Sequence, residues 1–220
     1  MLYLTGSGLN PKTIPVLKNH PMIGVLTTPY SLHPNYVKPF RHWAADNGCF
    51  TKGDAFSLPA YLAWLEKMKP LAGNCLFATA PDVVADAQRT WDRSSPTFEL
   101  IRERGFGVAL VAQDGIEKMD IQWSLFDSFF IGGSTDWKLS SASADVCREA
   151  KRRGMWVHMG RVNSLRRLEI AEQFGCDSVD GNFLGFGPDT NLPKLLNWLD
   201  CLRNNPMLRF EIEASGKREG

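Results

Sequence analysis

Short apolar runs alternate along the chain with longer segments whose apolar residues recur at helical spacing. The runs are rich in Val, Ile, Phe and Leu, which favours buried strands, and the longer segments are typical of helices between parallel strands. Eight runs are predicted as strands, at residues 2–5, 23–27, 42–45, 75–79, 107–112, 128–131, 155–159 and 177–179. The clearest helices are predicted at residues 59–68, 142–153 and 164–174.

The ends of these helices carry specific signals. Ser57 is a suitable N-cap for the first of them, and either Asn163 or Ser164 suits the last. Gly154 and Gly175 follow the second and third helices, where a residue in the left-handed conformation is expected.

Eight strands joined by crossovers favour a closed parallel barrel, because a closed sheet has no edge and helices cover its outside. We therefore predict an α/β fold, a single (β/α)8 TIM barrel, over residues 1–214, with residues 215–220 as a frayed polar tail. An open doubly wound sheet is the alternative. Residues 5–8 (TGSG) offer it a glycine turn, but residues 9–11 (LNP) interrupt the dinucleotide-binding fingerprint.

Composition adds limits rather than a function. The formal net charge of +1 over 220 residues gives no strong field toward nucleic acid, so any basic footprint must be local. Five cysteines without a Cys-x-x-Cys pair, no signal-like leader and no long apolar run predict a soluble, reduced protein of the cytoplasm, or of the host cytoplasm if phage-encoded. No membrane partner is expected, and the oligomeric state is left open.

Polar residues and glycines follow six of the predicted strands, at the barrel face where such enzymes carry their catalytic residues. In chain order they are Asp46, Asp82, Gln113-Asp114, Gly132-Gly133, Met159-Gly160 and Asp180. Asp, Asn and Gly are also common turn formers and helix caps, which suffices to explain Asp86 and Asp114. The convergence of several such residues on one rim nevertheless indicates a ligand site.

Two other classes of site are disfavoured. The four histidines are isolated from one another, so no metal site is predicted, and His158 is interpreted as a packing residue that points opposite to Met159. The chain also lacks the Gly-x-Ser-x-Gly elbow of a serine hydrolase.

Five segments carry a resemblance to a known family, in the same order along the chain. They are residues 45–50 (ADNGCF), 111–115 (VAQDG), 130–133 (FIGG), 158–160 (HMG) and 175–180 (GCDSVD). They resemble segments of the tRNA-guanine (queuine) transglycosylases. The chain is similar above all to small relatives from bacteriophages and genomic islands, which insert 7-deazaguanines into DNA.

The resemblance implies that Asp180 is a nucleophile and Asp46 a general acid/base. It also implies residues that hold the base: Phe50 and Met159 as a sandwich, Asp82 and Gln113 on its polar edge, and the Gly132-Gly133 backbone on its carbonyl. Without the resemblance, Phe50 and Met159 are equally well explained as core residues. The implied chemistry needs no cofactor.

The chain departs from the tRNA enzymes in two ways. Nothing after Cys201 supplies the three cysteines and histidine of their zinc-binding subdomain, which argues against tRNA as the substrate. Lys138 lies where those enzymes have a carboxylate near the exocyclic group of the base. A lysine there disfavours a cationic substituent and tolerates a nitrile, which favours 7-cyano-7-deazaguanine as the incoming free base; an exposed lysine without this role is the alternative.

Basic residues near the predicted catalytic rim are candidates for contact with phosphates. Arg41, Lys52 and Arg161 are assigned to this group, whereas residues 151–153 (KRR) are expected on the opposite rim as a solvated helix end. We therefore expect a DNA-guanine transglycosylase. The alternatives are the same exchange on tRNA, a non-catalytic barrel that binds a base or a polynucleotide, and a carbohydrate glycosidase, which also needs two carboxylates.

Overall fold

Eight parallel strands close into a barrel in this computed structural model, which describes residues 1–31 and 34–204. The strands follow one another around the barrel in chain order, and the last pairs with the first. They are β1 (Leu2–Thr5), β2 (Ile23–Thr27), β3 (Trp43–Ala45), β4 (Cys75–Thr79), β5 (Val108–Ala112), β6 (Ser128–Ile131), β7 (Trp156–Met159) and β8 (Ser178–Gly181). The predicted closed parallel barrel is confirmed, and the open-sheet alternative is wrong.

The strand bounds agree closely with those predicted from the apolar runs. β1, β2, β4 and β6 have the predicted bounds, and β3, β5 and β7 each begin one residue later than expected. β8 differs most, because it runs to Gly181 instead of ending at residue 179. Asp180 therefore lies within a strand, where pairing with β1 holds its backbone in place.

Helices connect the strands and cover the outside of the barrel. Within the described ranges they are α1 (Ile14–Leu17), α2 (Pro34–Val37), α3 (Cys49–Lys52), α4 (Leu58–Met68), α5 (Ala87–Ser94), α6 (Phe98–Arg102), α7 (Thr135–Lys138), α8 (Ser141–Arg152), α9 (Leu165–Gln173) and α10 (Pro188–Asn204). Among them, none combines the length and apolar character needed to cross a bilayer. The predicted domain end at residue 214 and the predicted tail 215–220 lie outside the described residues.

The predicted helix caps are present. The Ser57 hydroxyl accepts a hydrogen bond from the Ala60 N–H at 3.4 Å, at the start of α4. Of the two candidates before α9, Ser164 is the cap, whereas the Asn163 amide oxygen accepts from the Asn182 N–H in the neighbouring loop. Gly154 and Gly175 have φ values of +75° and +79°, the left-handed conformation expected where a helix ends.

Replacing Ser164 by Ala is expected to lower the free energy of unfolding by about 1 kcal/mol, because the Arg167 N–H loses its acceptor at the start of α9. Chemical denaturation of the wild type, Ser164→Ala and Ser164→Asp measures this. Ser164→Asp keeps an acceptor and should stay within about 0.5 kcal/mol of the wild type. Equal losses in both variants would contradict the capping role.

Side chains of the strands form an inner and an outer layer, because successive residues point to opposite faces of the sheet. The inner layer fills the barrel with Leu4, Leu26, Ala44, Phe77, Ala109, Val111 and Phe130. The outer layer packs between strands and helices, and Val157 and Met159 of β7 belong to it. His158, between them, therefore points into the barrel, where its ring packs against Phe77 and Phe130.

Candidate active site

A cavity of about 510 Å³ opens at the carboxyl ends of the strands, directly above the inner layer. Its wall is built from the segments that follow most of the strands. The predicted site residues that line it are Asp46, Phe50, Asp82, Gln113, Gly132, Gly133, Arg161 and Asp180. The structure thus brings both predicted catalytic carboxylates to one cavity.

Asp46 follows β3 and is only partly exposed at the cavity wall. Its carboxylate accepts a hydrogen bond from the Thr79 hydroxyl at 3.2 Å, and the same hydroxyl accepts from the Asn47 N–H. Burial, followed by the negative charges of Asp82 and Asp180, raises the pKa of Asp46 to about 7. A carboxyl group with that pKa both donates and accepts a proton near neutral pH.

Asp180 projects from β8 into the same cavity. One carboxylate oxygen, Oδ1, lies 3.0 Å from His158 Nε2. The other, Oδ2, accepts a hydrogen bond from the backbone N–H of Arg161 at 3.3 Å. Both oxygens are therefore held from behind, on the side of β7. Such a carboxylate is oriented before any ligand arrives, which suits a nucleophile.

Asp82 is fixed by amide groups on two sides. Asn47 Nδ2 donates to Oδ1 at 3.1 Å, and Gln113 Nε2 donates to Oδ2 at 2.7 Å. Burial raises the pKa of Asp82, while the two amide hydrogen bonds act in the opposite direction. Each carboxylate oxygen keeps a lone pair for donors on a ligand.

Gln113 is largely committed to the protein. Its Oε1 accepts from the N–H groups of Ala85 and Gly133, and its Nε2 donates to Asp82, which leaves one Nε2 hydrogen for a ligand. The resemblance assigned the base carbonyl to the Gly132-Gly133 backbone. The Gly132 N–H already donates to the Ala112 carbonyl, and the Gly133 N–H donates to Gln113, so neither remains for a base.

These two glycines are required for a different reason, which is close packing. A Cβ at Gly132 would lie 2.8 Å from Gln113 Nε2, and one at Gly133 would lie 2.4 Å from the Trp137 ring. Gly133 also has a φ of +65°, which side chains disfavour. The glycines therefore let Gln113 reach the loop and hold Asp82, instead of touching the ligand through their own N–H groups.

No protein-family model matches the chain, and no match was found among curated proteins. The site is therefore interpreted from its own geometry. Within residues 1–31 and 34–204, no three His, Cys, Asp or Glu residues are grouped so that they could hold a metal ion.

Phe50 and Arg161 form one side of the cavity mouth. The Phe50 side chain is 62% exposed, and the Arg161 guanidinium lies 5.1 Å from the centre of its ring. Arg161 also donates to the Gly133 carbonyl and adopts a left-handed φ of +61°. An exposed ring held by a cation provides a flat surface on which a base can stack.

Two residues that the resemblance assigned to the base do not line the cavity. Met159 is fully buried in the outer layer, between the strands and the helices. Asp180 points to the opposite face of the barrel, into the cavity, so Met159 cannot contact a base there. Lys138 is 3% exposed and its Nζ donates to the Gly160 carbonyl at 2.5 Å, so both its predicted contact with the base and the exposed alternative are wrong. Burial, and then the charge of Arg161, lowers the pKa of Lys138 to about 7.

Of the three predicted phosphate-binding residues, two lie at the cavity or near its mouth, and one lies at the other end of the barrel. Arg161 lines the cavity, and Lys52 lies near its mouth, with its Nζ 4.5 Å from the ring centre of the lining residue Tyr30. Arg41 precedes β3 and therefore lies at the opposite, amino end of the barrel, because the chain reaches the cavity only after that strand. Lys151 lies at that end too, as predicted, where it pairs with Asp177 at 2.7 Å.

Four residues of the candidate site were not assigned to it from the sequence: Asn47, Thr79, His158 and Arg167. Asn47 donates to Asp82, Thr79 donates to Asp46, and Arg167 lines the cavity and donates to the Arg161 carbonyl. His158 was interpreted as a packing residue, yet it contacts Asp180. The alternation of side chains along β7 could have revealed this contact. If Met159 faces the helices, His158 must face the barrel interior.

Proposed function

We propose that this protein is a DNA-guanine transglycosylase, a pentosyltransferase that exchanges guanine for a 7-deazaguanine. The observation that carries the proposal is that Asp46 and Asp180 line one cavity in different environments. Asp46 has a pKa raised to about 7, and Asp180 is held through both oxygens. Two carboxylates with separate roles are what cleavage of a glycosidic bond with retention requires. We further propose that the barrel is a (β/α)8 barrel without the zinc-binding subdomain of the tRNA enzymes.

In the first half-reaction, an Asp180 oxygen bonds to the anomeric carbon of the sugar while the bond to the guanine nitrogen breaks. The protonated Asp46 gives its proton to the departing base. In the second half-reaction, the incoming base loses a proton to Asp46, and its nitrogen displaces Asp180 from the sugar. Two inversions restore the original configuration, and both carboxyl groups return to their starting states.

The cavity suits a flat, amphipathic base. Its volume of about 510 Å³ lies within the range of small-molecule sites, and apolar side chains form its floor. Asp82 presents two oriented carboxylate oxygens to the N–H donors of a guanine edge, and Phe50 offers an exposed ring for stacking. A nucleotide must leave its base stack to reach this depth, so the proposed polymer substrate is single-stranded or flipped.

Positive charge at the mouth supports a polynucleotide substrate. Arg161 and Arg167 line the cavity, and Lys52 lies near it, which provides a local basic footprint on a chain with a net charge of +1. The preference for DNA over tRNA rests on the resemblance and on the departure from the tRNA enzymes in the sequence, and the cavity itself does not add to it. Since Lys138 does not reach the cavity, 7-cyano-7-deazaguanine remains the first base to test without support from that residue.

Mass spectrometry of nucleosides tests the proposal. DNA, tRNA and a polymer-free control are incubated with the protein and 7-cyano-7-deazaguanine, and release of radiolabelled guanine is followed in parallel. We expect the modified deoxynucleoside and guanine release from DNA only. Exchange on tRNA alone would move the substrate to RNA. Base binding without exchange would leave a binding barrel, and hydrolysis of aryl glycosides without base exchange would indicate a carbohydrate glycosidase.

Replacing Phe50 by Ala is expected to weaken binding of the free base by about 5- to 150-fold, because stacking contributes about 1–3 kcal/mol per base. Folding should change little, since the ring is largely exposed. Calorimetric titration with the free base measures the effect, and Phe186→Ala is the matched control, because that ring is 78% exposed and does not line the cavity. Equal affinities in the two variants would remove Phe50 from the site.

A further inference from the structure

His158 is a fully buried histidine inside the barrel, and it takes no part in the proton transfers and bond changes outlined above. Its ring centre lies 4.5 Å from that of Phe130 and 5.1 Å from that of Phe77. An apolar ring would pack in this environment without the cost of burying two polar nitrogen atoms. Both nitrogen atoms of His158 nevertheless have partners.

A line of hydrogen bonds runs from the wall of the barrel through His158 to Asp180. Trp156 Nε1 lies 2.8 Å from Ser178 Oγ, which in turn lies 2.8 Å from His158 Nδ1. His158 Nε2 lies 3.0 Å from Asp180 Oδ1. Strand pairing produces this line, because His158 of β7 pairs with Ser178 of β8, and Asp180 is the next residue of β8 that points inward.

The direction of each hydrogen bond follows from the chemistry of its two ends. The Trp156 indole is only a donor, and the Asp180 carboxylate is only an acceptor. Burial lowers the pKa of His158, with Lys138 acting in the same direction and Asp180 against it, and this favours the neutral ring with one N–H. That hydrogen is on Nε2 and donates to Asp180. Ser178 accepts from Trp156 and donates to Nδ1, which holds this tautomer.

We propose that His158 is a positioning residue for the nucleophile, and that Ser178 and Trp156 fix its tautomer so that Nε2–H always faces Asp180. The backbone N–H of Arg161 donates to the other oxygen, Oδ2. Together the two hydrogen bonds hold the Asp180 carboxylate in one rotamer, directed at the anomeric carbon. The part of the inference that concerns the anomeric carbon rests on the proposed function. The orientation of Asp180 and the tautomer of His158 do not.

Three variants separate positioning from packing. His158→Phe fills the site without a donor and is expected to reduce kcat for base exchange by about 10- to 100-fold, the loss typical when a group that orients a metal ligand is removed. The Kd of the free base, measured by calorimetric titration, should change less than about threefold, because Asp82 and Phe50 are untouched. His158→Gln restores an N–H donor and should recover most of kcat. Ser178→Ala releases the tautomer and should fall between His158→Phe and the wild type.

Nitrogen-15 NMR of the imidazole provides a test that needs no activity. We expect a neutral ring with its proton on Nε2 throughout about pH 6–8, although Asp180 of β8 and Lys138 of α7 both act on it. The Nε2 signal should move in Asp180→Ala, and the tautomer should become mixed in Ser178→Ala. A ring protonated on Nδ1, or one that titrates within this range, would overturn the inference.

The two proposals fail in different ways. If the wild type exchanges bases and His158→Phe keeps its kcat, positioning is wrong and the proposed function stands. If the wild type exchanges no base on any polymer while the NMR result is as expected, the proposed function is wrong. His158 then still orients Asp180, for a different reaction.

Discussion

Replacing Asp180 by Asn is expected to lower the rate of base exchange by more than about a thousandfold, the scale of loss seen when a nucleophile is removed. It should also abolish any covalent adduct between protein and nucleic acid. The amide nearly matches the carboxylate in shape, and its oxygen still accepts from His158, so the fold should be kept. Its nucleophilicity is lost, because an amide oxygen is a poor donor of electrons to the sugar.

Denaturing gels of the protein incubated with labelled oligonucleotide measure the adduct, and single-turnover guanine release measures the rate. Asp136→Asn is the matched control, since it makes the same change of charge at an exposed residue of α7 that does not line the cavity. We expect Asp136→Asn to behave as the wild type. An adduct that survives in Asp180→Asn would assign the nucleophile to another residue.

The second large effect is expected at Asp46, whose pKa is raised to about 7 by burial and by the charges of Asp82 and Asp180. Formation of the adduct needs the protonated acid, so its rate should be highest below pH 7 and should fall about tenfold per pH unit above it. Discharge of the adduct by an incoming base needs the ionised form and should have the opposite dependence. Asp46→Asn should slow adduct formation by about 10²- to 10⁴-fold and remove this dependence on pH.

The rate of adduct formation against pH, in the wild type and in Asp46→Asn, tests this assignment. Stability gives an independent check with a defined sign. Because the pKa of Asp46 is raised on folding from 3.8 to about 7, the folded protein binds more protons in that range, so ionisation costs stability as the pH rises toward 7. Asp46→Asn should therefore stabilise the protein more at pH 8 than at pH 5. The reverse order would contradict the raised pKa.

The sequence was sufficient for the barrel and for the two acids because both depend on local patterns. Apolar runs predicted β1, β2, β4 and β6 with their observed bounds, and polar residues at strand ends predicted Asp46 and Asp180 at the cavity. In a parallel barrel, a residue at the carboxyl end of any strand reaches the same rim. Its position along the strand therefore decides its location almost independently of the rest of the fold.

The rest depended on which face of a strand points inward and on which groups already have partners. Met159 points outward and His158 inward, which the sequence did not reveal, because a short and largely buried strand offers little contrast between its two faces. Gly132 and Gly133 reach the cavity as predicted, but their N–H groups are used by Ala112 and by the Gln113 side chain. Such occupancy is a property of the folded chain and cannot be read from spacing.

The plugged interior of the barrel constrains the order of events above it. Leu4, Phe77 and Phe130 are at most 8% exposed, so in the described part of the chain the floor of the cavity offers no second exit. Outgoing and incoming bases must then use the same opening, and the incoming base can attack the sugar only from the position that guanine has left. Under the proposed reaction, initial rates should follow a ping-pong law, giving parallel double-reciprocal lines as polymer and free base are varied.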